Sequence, residues 1–538
     1  ENPQISHLLK LRDTLYSKEF RQVVEKITGC SHLTDQTDCA VNAYVQGCHL
    51  ICHDDVISTR CVSYIIYFQD PDEEWEEKDG GNLELYGLMP GHKEKYGVPD
   101  ILPDKRYLPL FNRMVMFTVL PGQSYHAVQE VYAQHKPRIT IQGWYHGTAP
   151  PEGAQKISSL AQLMTTEKLD HESEYKSIEI MHLHDDNDDE AAEADAEAEA
   201  EVEAEGKKSE QGADKEAKDK FKLHDDIVKV LKPFVNPVYL ESGNAYDIHK
   251  KFVKESFIEL RDFLHPDIAD KLAKSIEQQD VHDKLGGGQT PDYKAGYENK
   301  SWKPMGPTHV QRYMRLLEDH RHKGELEKIL AKVQQELVLS DAFASYLHAI
   351  TGLHPEKVKA ITRRFRPGID YTVAHMGNIT AKKQLDATLV FADCSTPGKY
   401  SNWEDEDVGG FECYIEKDED SALEASAVYK QSINVEDGPL VNFQASFNTL
   451  CLVCRDEGVM RFVKYLSCHA PGSRWDISSE FVLQAQDYED DEAGDDDAAD
   501  DDDDDDVVDD EIDPEAKGAE EDEKGEVEGA EDAKDSKA

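Results

Sequence analysis

Asp79-Gly-Gly-Asn-Leu-Glu-Leu-Tyr86 and, in the second half of the chain, Val408-Gly-Gly-Phe-Glu-Cys-Tyr414 decide how this sequence folds. Each joins a glycine doublet to a short strand-like run, and each lies between one apolar run upstream and another downstream. Arg113-Met-Val-Met-Phe-Thr-Val119 is matched in the same way by Asn448-Thr-Leu-Cys-Leu-Val-Cys454. Landmarks that recur in one order imply two copies of one β fold.

Working outward, the first copy shows period-two runs at 43–45, 49–52, 62–68, 82–86, 114–119 and 138–144, separated by Gly, Pro and Asp turns. Short strands without intervening helices predict a barrel or double sheet, ending near Gly147-Thr-Ala-Pro-Pro151. Residues 5–29 carry a helical period and residues 224–350 read as mostly helical. Strands return at 371–374, 387–392, 411–415, 449–454, 461–466 and 475–483.

The 538 residues carry a formal net charge of −52. From Asp487 to Ala538 there are 29 acidic and 4 basic residues, and from Leu183 to Lys220 there are 16 and 5. Both tracts are too poor in apolar residues to offset the entropy of ordering, so residues 183–220 read as a disordered linker and 487–538 as a disordered tail. Their sign suits basic partners and disfavours direct contact with a nucleic-acid backbone. The ten cysteines form no secreted-type framework. Cys451 and Cys454 lie in a strand pattern without a second pair at zinc spacing. No run of about 18 apolar residues predicts a membrane span, and a cytosolic or nuclear protein is expected.

The chemistry lies in Cys52-His53-Asp54-Asp55. Strand alternation sends residues i and i+2 to one face, so His53 and Asp55 enter one cavity while Asp54 faces away. A histidine from a distant strand would complete a two-histidine, one-carboxylate facial triad for Fe(II). His126 is the candidate; His135 competes, but sits in a turn beside Lys136 and Pro137. His49 reads as a surface or supporting residue. Arg138, on the next strand, supplies the bidentate cation that a dicarboxylate co-substrate such as 2-oxoglutarate needs for its distal carboxylate. Trp144 alternates in phase with it and can wall the pocket.

Cys52-His-Asp-Asp55, Tyr64-Ile-Ile-Tyr67, the glycine-doublet run, Ser124-Tyr-His-Ala-Val-Gln-Glu-Val131 and Arg138-Ile-Thr-Ile-Gln-Gly-Trp-Tyr-His-Gly147 closely resemble the eukaryotic 2-oxoglutarate- and iron-dependent oxygenases that hydroxylate a proline of a small-subunit ribosomal protein. Phe234-Val-Asn-Pro-Val-Tyr-Leu240 and Phe462-Val-Lys464 are similar to the C-terminal half of that family. The resemblance implies two tandem double-stranded β-helix (jelly-roll, cupin-like) domains. Residues 1–150 would be catalytic and residues 224–486 a non-catalytic copy with helices. It implies iron on His53, Asp55 and His126, and 2-oxoglutarate on Arg138, with Tyr44 contacting the co-substrate. Tyr67 would line the same pocket or serve as strand core. O2 as second co-substrate, ascorbate as support, ribosomal protein S23 as protein substrate and a place in cytoplasm and nucleus follow from the same likeness. The family resembled has a longer segment before the helix at 5–29, including early barrel strands, so either the sequence is a piece of a longer one or a shortfall of strands in the first barrel is expected.

In the second copy His375-Met-Gly377 stands at the His-x-Asp position, Arg461 at the position of His126 and Arg474 at that of Arg138. That copy is expected to be metal-free. The alternative to an oxygenase is an adapter that uses the second copy and the acidic arms to recruit translation or degradation factors. A metal hydrolase on a cupin-like barrel would leave Arg138 without a task.

Overall fold

The computed structural model describes residues 5–90, 97–164, 175–181, 217–318 except 219, 324–379, 382–392, 403, 408–416 and 440–487 except 486. The chain divides into a unit of residues 1–489 and another of residues 490–538. The second unit and most of the acidic linker lie outside the described residues.

The first copy contributes β1 (Ala40–Tyr44), β2 (Leu50–His53), β3 (Arg60–Tyr67), β4 (Leu83–Leu85), β5 (Lys105–Tyr107), β6 (Met114–Thr118), β7 (His126–Val128) and β8 (Arg138–His146). Among the described residues they form two four-stranded antiparallel sheets, β1-β8-β3-β6 and β2-β7-β4-β5. Successive strands switch sheets except β4 and β5, which form a hairpin in one sheet, and the two strand orders are those of a double-stranded β-helix. The expected shortfall of early strands is not seen in these sheets. Sequence reading missed β5 and β7, three residues each and without the glycine doublet that marks the equally short β4.

The expected single helix at 5–29 is two helices, Ser6–Tyr16 and Lys18–Thr28. Ser17 sits in extended backbone between them and its side chain accepts from the Phe20 amide, an N-cap that starts the second helix. Gly29, with φ +76°, ends it. Leu15 and Val24 pack on Val62, Tyr64, Ile141 and Tyr145 of β3 and β8. These strands are therefore buried on both faces, which is why β3 reads as a continuous apolar run.

In the second copy, β9 (Lys176–Ser177), β10 (Phe257–Arg261), β11 (Trp302–Met305), β12 (Gln311–Leu316), β13 (Pro355–Phe365), β14 (Tyr371–Thr372), β15 (Gln384–Ala392), β16 (Glu412–Glu416), β17 (Val441–Phe443), β18 (Phe447–Arg455), β19 (Val459–Val463) and β20 (Arg474–Leu483) follow. One sheet runs β10-β18-β15-β20-β13-β12-β11, and β17-β16-β19 form the other. Its inner order β18-β15-β20-β13 repeats β6-β3-β8-β1, so the second copy has the topology of the first. Three strands, β10 to β12, interrupt the stretch expected to be helical, and β13 was not foreseen. β13 carries lysines and arginines at alternate positions, and its long register with β20, a non-local pairing, makes it a strand.

The equivalence extends to single residues. Gly80 and Gly81 have φ of +68° and +67°, and Gly409 and Gly410 both have +71°. His126 is the cross-strand partner of Leu85, and Arg461 that of Tyr414, the same place in the two registers. Where the first copy has an imidazole, the second has a buried guanidinium. Arg461 donates to Glu412, to Thr388 Oγ1 at 2.6 Å and to Ser478 Oγ at 2.8 Å. Burial works against the charge of Glu412, but Arg461, Arg474 and Arg363 outweigh it and hold the carboxyl down to about 2. The charges of the second interior thus pair with one another.

The two copies meet around Glu130. Its fully buried carboxylate accepts from the Ser467 hydroxyl and, at 2.9 Å, from the Cys468 amide. Gln46 and His469 are 2.7 Å apart. His49, expected at the surface or in support of the metal, stacks on Tyr465 with ring centroids 3.8 Å apart; it belongs to this junction.

Replacing Arg461 by Met removes the cation nearest to Glu412 and leaves it Arg474 at 3.7 Å, while Asp386 keeps Arg455 at 2.9 Å. Removing one partner of a buried pair costs about 3–5 kcal/mol, and urea unfolding of the Arg461→Met protein should show a loss of that size. A change below about 0.5 kcal/mol, the range of surface substitutions, would mean that the carboxylates are neutralised in another way.

Candidate metal centre and co-substrate pocket

β2 and β7 place His53 directly opposite His126, with ring centroids 4.3 Å apart. Asp55 joins them: its Oδ1 is 3.1 Å from His53 Nε2 and its Oδ2 is 3.4 Å from His126 Nε2. One ligand atom from each lies within 4.8 Å of the others, a set that could hold a metal ion. Strand alternation predicted the Asp55 placement, but the physical route differs. β2 ends at His53, and Asp55 sits in left-handed backbone with φ +62°. That conformation is uncommon for a residue with a Cβ, and the turn, not the pleat, delivers the carboxylate. Burial works against its charge, yet His126 and His53 outweigh it and hold the carboxyl well below the usual carboxylate range.

Both imidazoles are aimed from behind. His53 Nδ1 is 2.8 Å from the Ile51 carbonyl, and His126 Nδ1 is 2.8 Å from the Ser124 carbonyl. A carbonyl only accepts, so each Nδ1 carries a proton and each Nε2 is the nitrogen turned toward Asp55 and the place a metal would take. Trp144 Nε1 donates to Asp55 Oδ2 at 3.0 Å, so this residue, expected only as a wall, also orients the carboxylate. Asp54 does face away: it accepts from the amides of Gly122 and Ser159 at 2.9 Å and ties the helix Ser159–Leu163 to the metal-side turn. His135 is exposed and takes no part. A second possible donor set, Glu130, Cys468 and His469, lies at the junction described above, where donors from the second copy already hold the carboxylate.

Arg138 shares the inward face of β8 with Thr140 and Trp144. Its Nε donates to the Gly81 carbonyl at 2.8 Å. A Cβ on Gly81 would meet Arg138 Cδ at 2.9 Å, so only glycine allows this approach. The guanidinium is 1% exposed, and neither terminal nitrogen has a hydrogen-bond partner. Tyr44, its cross-strand partner, and Tyr67 flank it, with ring centroids 5.5 Å and 5.2 Å from the guanidinium carbon. Tyr67 is fully buried and its hydroxyl is also without a partner.

The second copy shows what this pocket lacks. Arg474 donates to the Gly410 carbonyl, as Arg138 does to that of Gly81. It is then neutralised by Asp476, 3.0 Å away, and by Glu412, at 3.7 Å. The matching positions of the first copy are Thr140, two residues after Arg138, and Leu83, two residues after Gly81. Both carboxylates are missing there. A buried cation needs an anion, and a carboxylate from outside the chain fits the two free nitrogens. Thr140 escaped sequence reading, although its phase with Arg138 and Trp144 was visible; its meaning emerges only against Asp476.

Two imidazoles and a carboxylate facing one point inside a double-stranded β-helix, with a buried arginine on the same interior, define the non-haem Fe(II) oxygenase class. Residues 39–146 match the family described as the 2OG-Fe(II) oxygenase superfamily, and residues 226–492 match the family described as oxoglutarate and iron-dependent oxygenase degradation C-term. The chain is similar to the prolyl 3,4-dihydroxylase OGFOD1 of Ostreococcus tauri, 34% identical over 482 residues, covering 88% of this chain and 83% of that protein. It is 25% identical to the prolyl 3-hydroxylase OGFOD1 of Xenopus laevis over 504 residues, covering 87% and 75%. With the mouse protein of the same name it shares 26% over 478 residues, covering 87% and 76%. The chain belongs to the 2-oxoglutarate- and iron-dependent oxygenases of this group.

Two substitutions separate the parts of the site. Arg138→Met removes a charge-assisted pair worth about 1.5–3 kcal/mol, so 2-oxoglutarate should bind roughly 10–100-fold more weakly, as titration calorimetry on the metal-loaded protein would show. Trp144→Phe deletes the bond to Asp55, and loss of such an outer partner typically costs about 10–100-fold in metal affinity. Competition with a fluorescent chelator reads this; an unchanged affinity would leave the indole a wall only.

Proposed function

We propose that this chain hydroxylates a prolyl residue of a protein substrate, that the substrate is ribosomal protein S23 of the small subunit, and that His53, Asp55 and His126 hold the iron while Arg138 anchors 2-oxoglutarate. The observation that carries the reading is the pair of unpartnered Arg138 nitrogens buried in the same barrel interior as the His-Asp-His set. The names of the relatives, prolyl hydroxylases all, support proline as the target residue. S23, ascorbate as a supporting reductant, and a cytoplasmic and nuclear location are carried by the family resemblance.

Bound Fe(II) and 2-oxoglutarate supply the oxidising chemistry, in which O2 is consumed as the co-substrate is decarboxylated to succinate. The chain's own residues do the rest. The Nδ1 bonds to Ile51 and Ser124 hold the two Nε2 atoms toward one point, and the ionised Asp55 closes the third side. His53, Asp55 and His126 would hold the iron, which would supply the activation of O2 together with 2-oxoglutarate. Arg138 fixes the far carboxylate, with Tyr44 and Tyr67 beside it. Phe117, with its centroid 4.7 Å from that of His126, helps to keep water from the centre.

Recombinant S23 incubated with the enzyme, Fe(II), 2-oxoglutarate and ascorbate should gain one oxygen on a single prolyl residue by mass spectrometry. The gain should vanish with a chelator and with Asp55→Ala. If the wild-type protein turns over 2-oxoglutarate but leaves S23 unmodified, the substrate is wrong; equal succinate formation by Asp55→Ala sinks the site itself. An adapter without catalysis would show no metal-dependent uptake of 2-oxoglutarate.

A further inference from the structure

A groove of about 290 Å³ is lined by residues 49–57, which include His53 and Asp55, by Leu160 and Leu163 of the helix Ser159–Leu163, and by two residues of the second copy, His309 and Val373. Most of this lining is apolar. It follows β2, which pairs only with β7 among the described residues and so lies at the edge of its sheet.

His309 is out of place in such a wall. It is 2% exposed, and neither of its ring nitrogens has a hydrogen-bond partner. The Tyr125 ring, with its centroid 5.4 Å away, offers only packing. Burial, with His375 adding to it, pushes its pKa down to about 3, so at neutral pH the ring is uncharged. A neutral imidazole carries one donor and one acceptor. An extended peptide presents the complementary pair, a carbonyl and an amide, whereas a free anion or cation would find no charge to meet.

We propose that the second copy takes part in substrate recognition: the chain of the protein substrate next to its target proline lies in this groove, and His309 hydrogen-bonds its backbone. The catalytic barrel supplies the chemistry, and the second barrel supplies one wall of the binding surface and its polar contact. A buried polar group left unpaired is unfavourable, and the substrate backbone gives this one its partner. Leu160, Leu163 and Val373 then receive apolar side chains of the same segment. The inference rests on the oxygenase reading above and extends it to the means by which the substrate is held.

The test uses the full chain loaded with Mn(II) and 2-oxoglutarate, with recombinant S23 titrated in. His309→Leu should weaken S23 binding about 10-fold or more, the loss expected for an unpaired buried hydrogen bond. His309→Gln keeps a donor and an acceptor and should recover most of the affinity. Melting of the Leu variant should not fall below that of the wild type, since an apolar side chain replaces an unpartnered imidazole. Unchanged S23 affinity in His309→Leu overturns the proposal, and so does a loss that accompanies a lower melting temperature and is not restored by Gln. A wild-type protein that binds 2-oxoglutarate with Mn(II) but not S23 overturns the groove while leaving the oxygenase reading standing. One that takes up no 2-oxoglutarate overturns both.

Discussion

A positive charge inside a closed β-barrel must be matched by a negative one, and the two halves of this chain meet that demand differently. In the second copy the match is internal: Arg474 finds Asp476 and Glu412, and Arg461 shares Glu412. In the first copy the same strand positions carry Thr140 and Leu83, and Arg138 is left with two free nitrogens. Transfer of an unpaired charge to low dielectric is costly, so the first interior is built around a counter-ion that the chain does not contain. A carboxylate bound from outside would supply that negative charge.

The same logic explains why the second copy retains so much of the first. Its backbone repeats the strand order, the positive-φ glycine doublet and the arginine anchored on a glycine carbonyl. What changed is the polar inventory. A histidine became Arg461, and the His-x-Asp carboxylate became Gly377. An arginine has no lone pair to give a metal, and its charge repels one. Once it occupies the ligand position, carboxylates around it become the stable solution, and the cavity is locked as scaffold. The copy can then serve through its outer surfaces, which meet the catalytic half at Glu130, Tyr465 and His309.

Much of this was legible in the residues themselves. The glycine doublets stood out because a left-handed backbone followed by a short strand leaves few alternatives to glycine. His53, His126 and Arg138 could be chosen because a His-x-Asp pair, a distal histidine and an arginine on the following strand occur together in one all-β segment. Other features were hidden for physical reasons. β7 is three residues long and lacks the glycine doublet that marks β4. β13 pairs with a partner more than a hundred residues away, and local propensity does not report such pairing. Ser17 splits the N-terminal helix by capping, a choice that a continuous apolar period conceals.

His49 and Asp55 mark the limit more sharply. Sequence spacing assigned both to faces of a strand, yet one stacks on the second copy and the other lies past the end of β2 in left-handed backbone. Alternation reached the right answer for Asp55 through a conformation that it does not describe. That strain is sustained because both oxygens are engaged, by His53, His126 and the Trp144 indole. A carboxylate free to rotate would satisfy only one imidazole at a time. Held by the indole and the turn, it instead presents an oxygen to the place where both histidines already aim, and it is this fixed geometry, rather than the presence of three suitable residue types, that makes the set able to hold a metal ion.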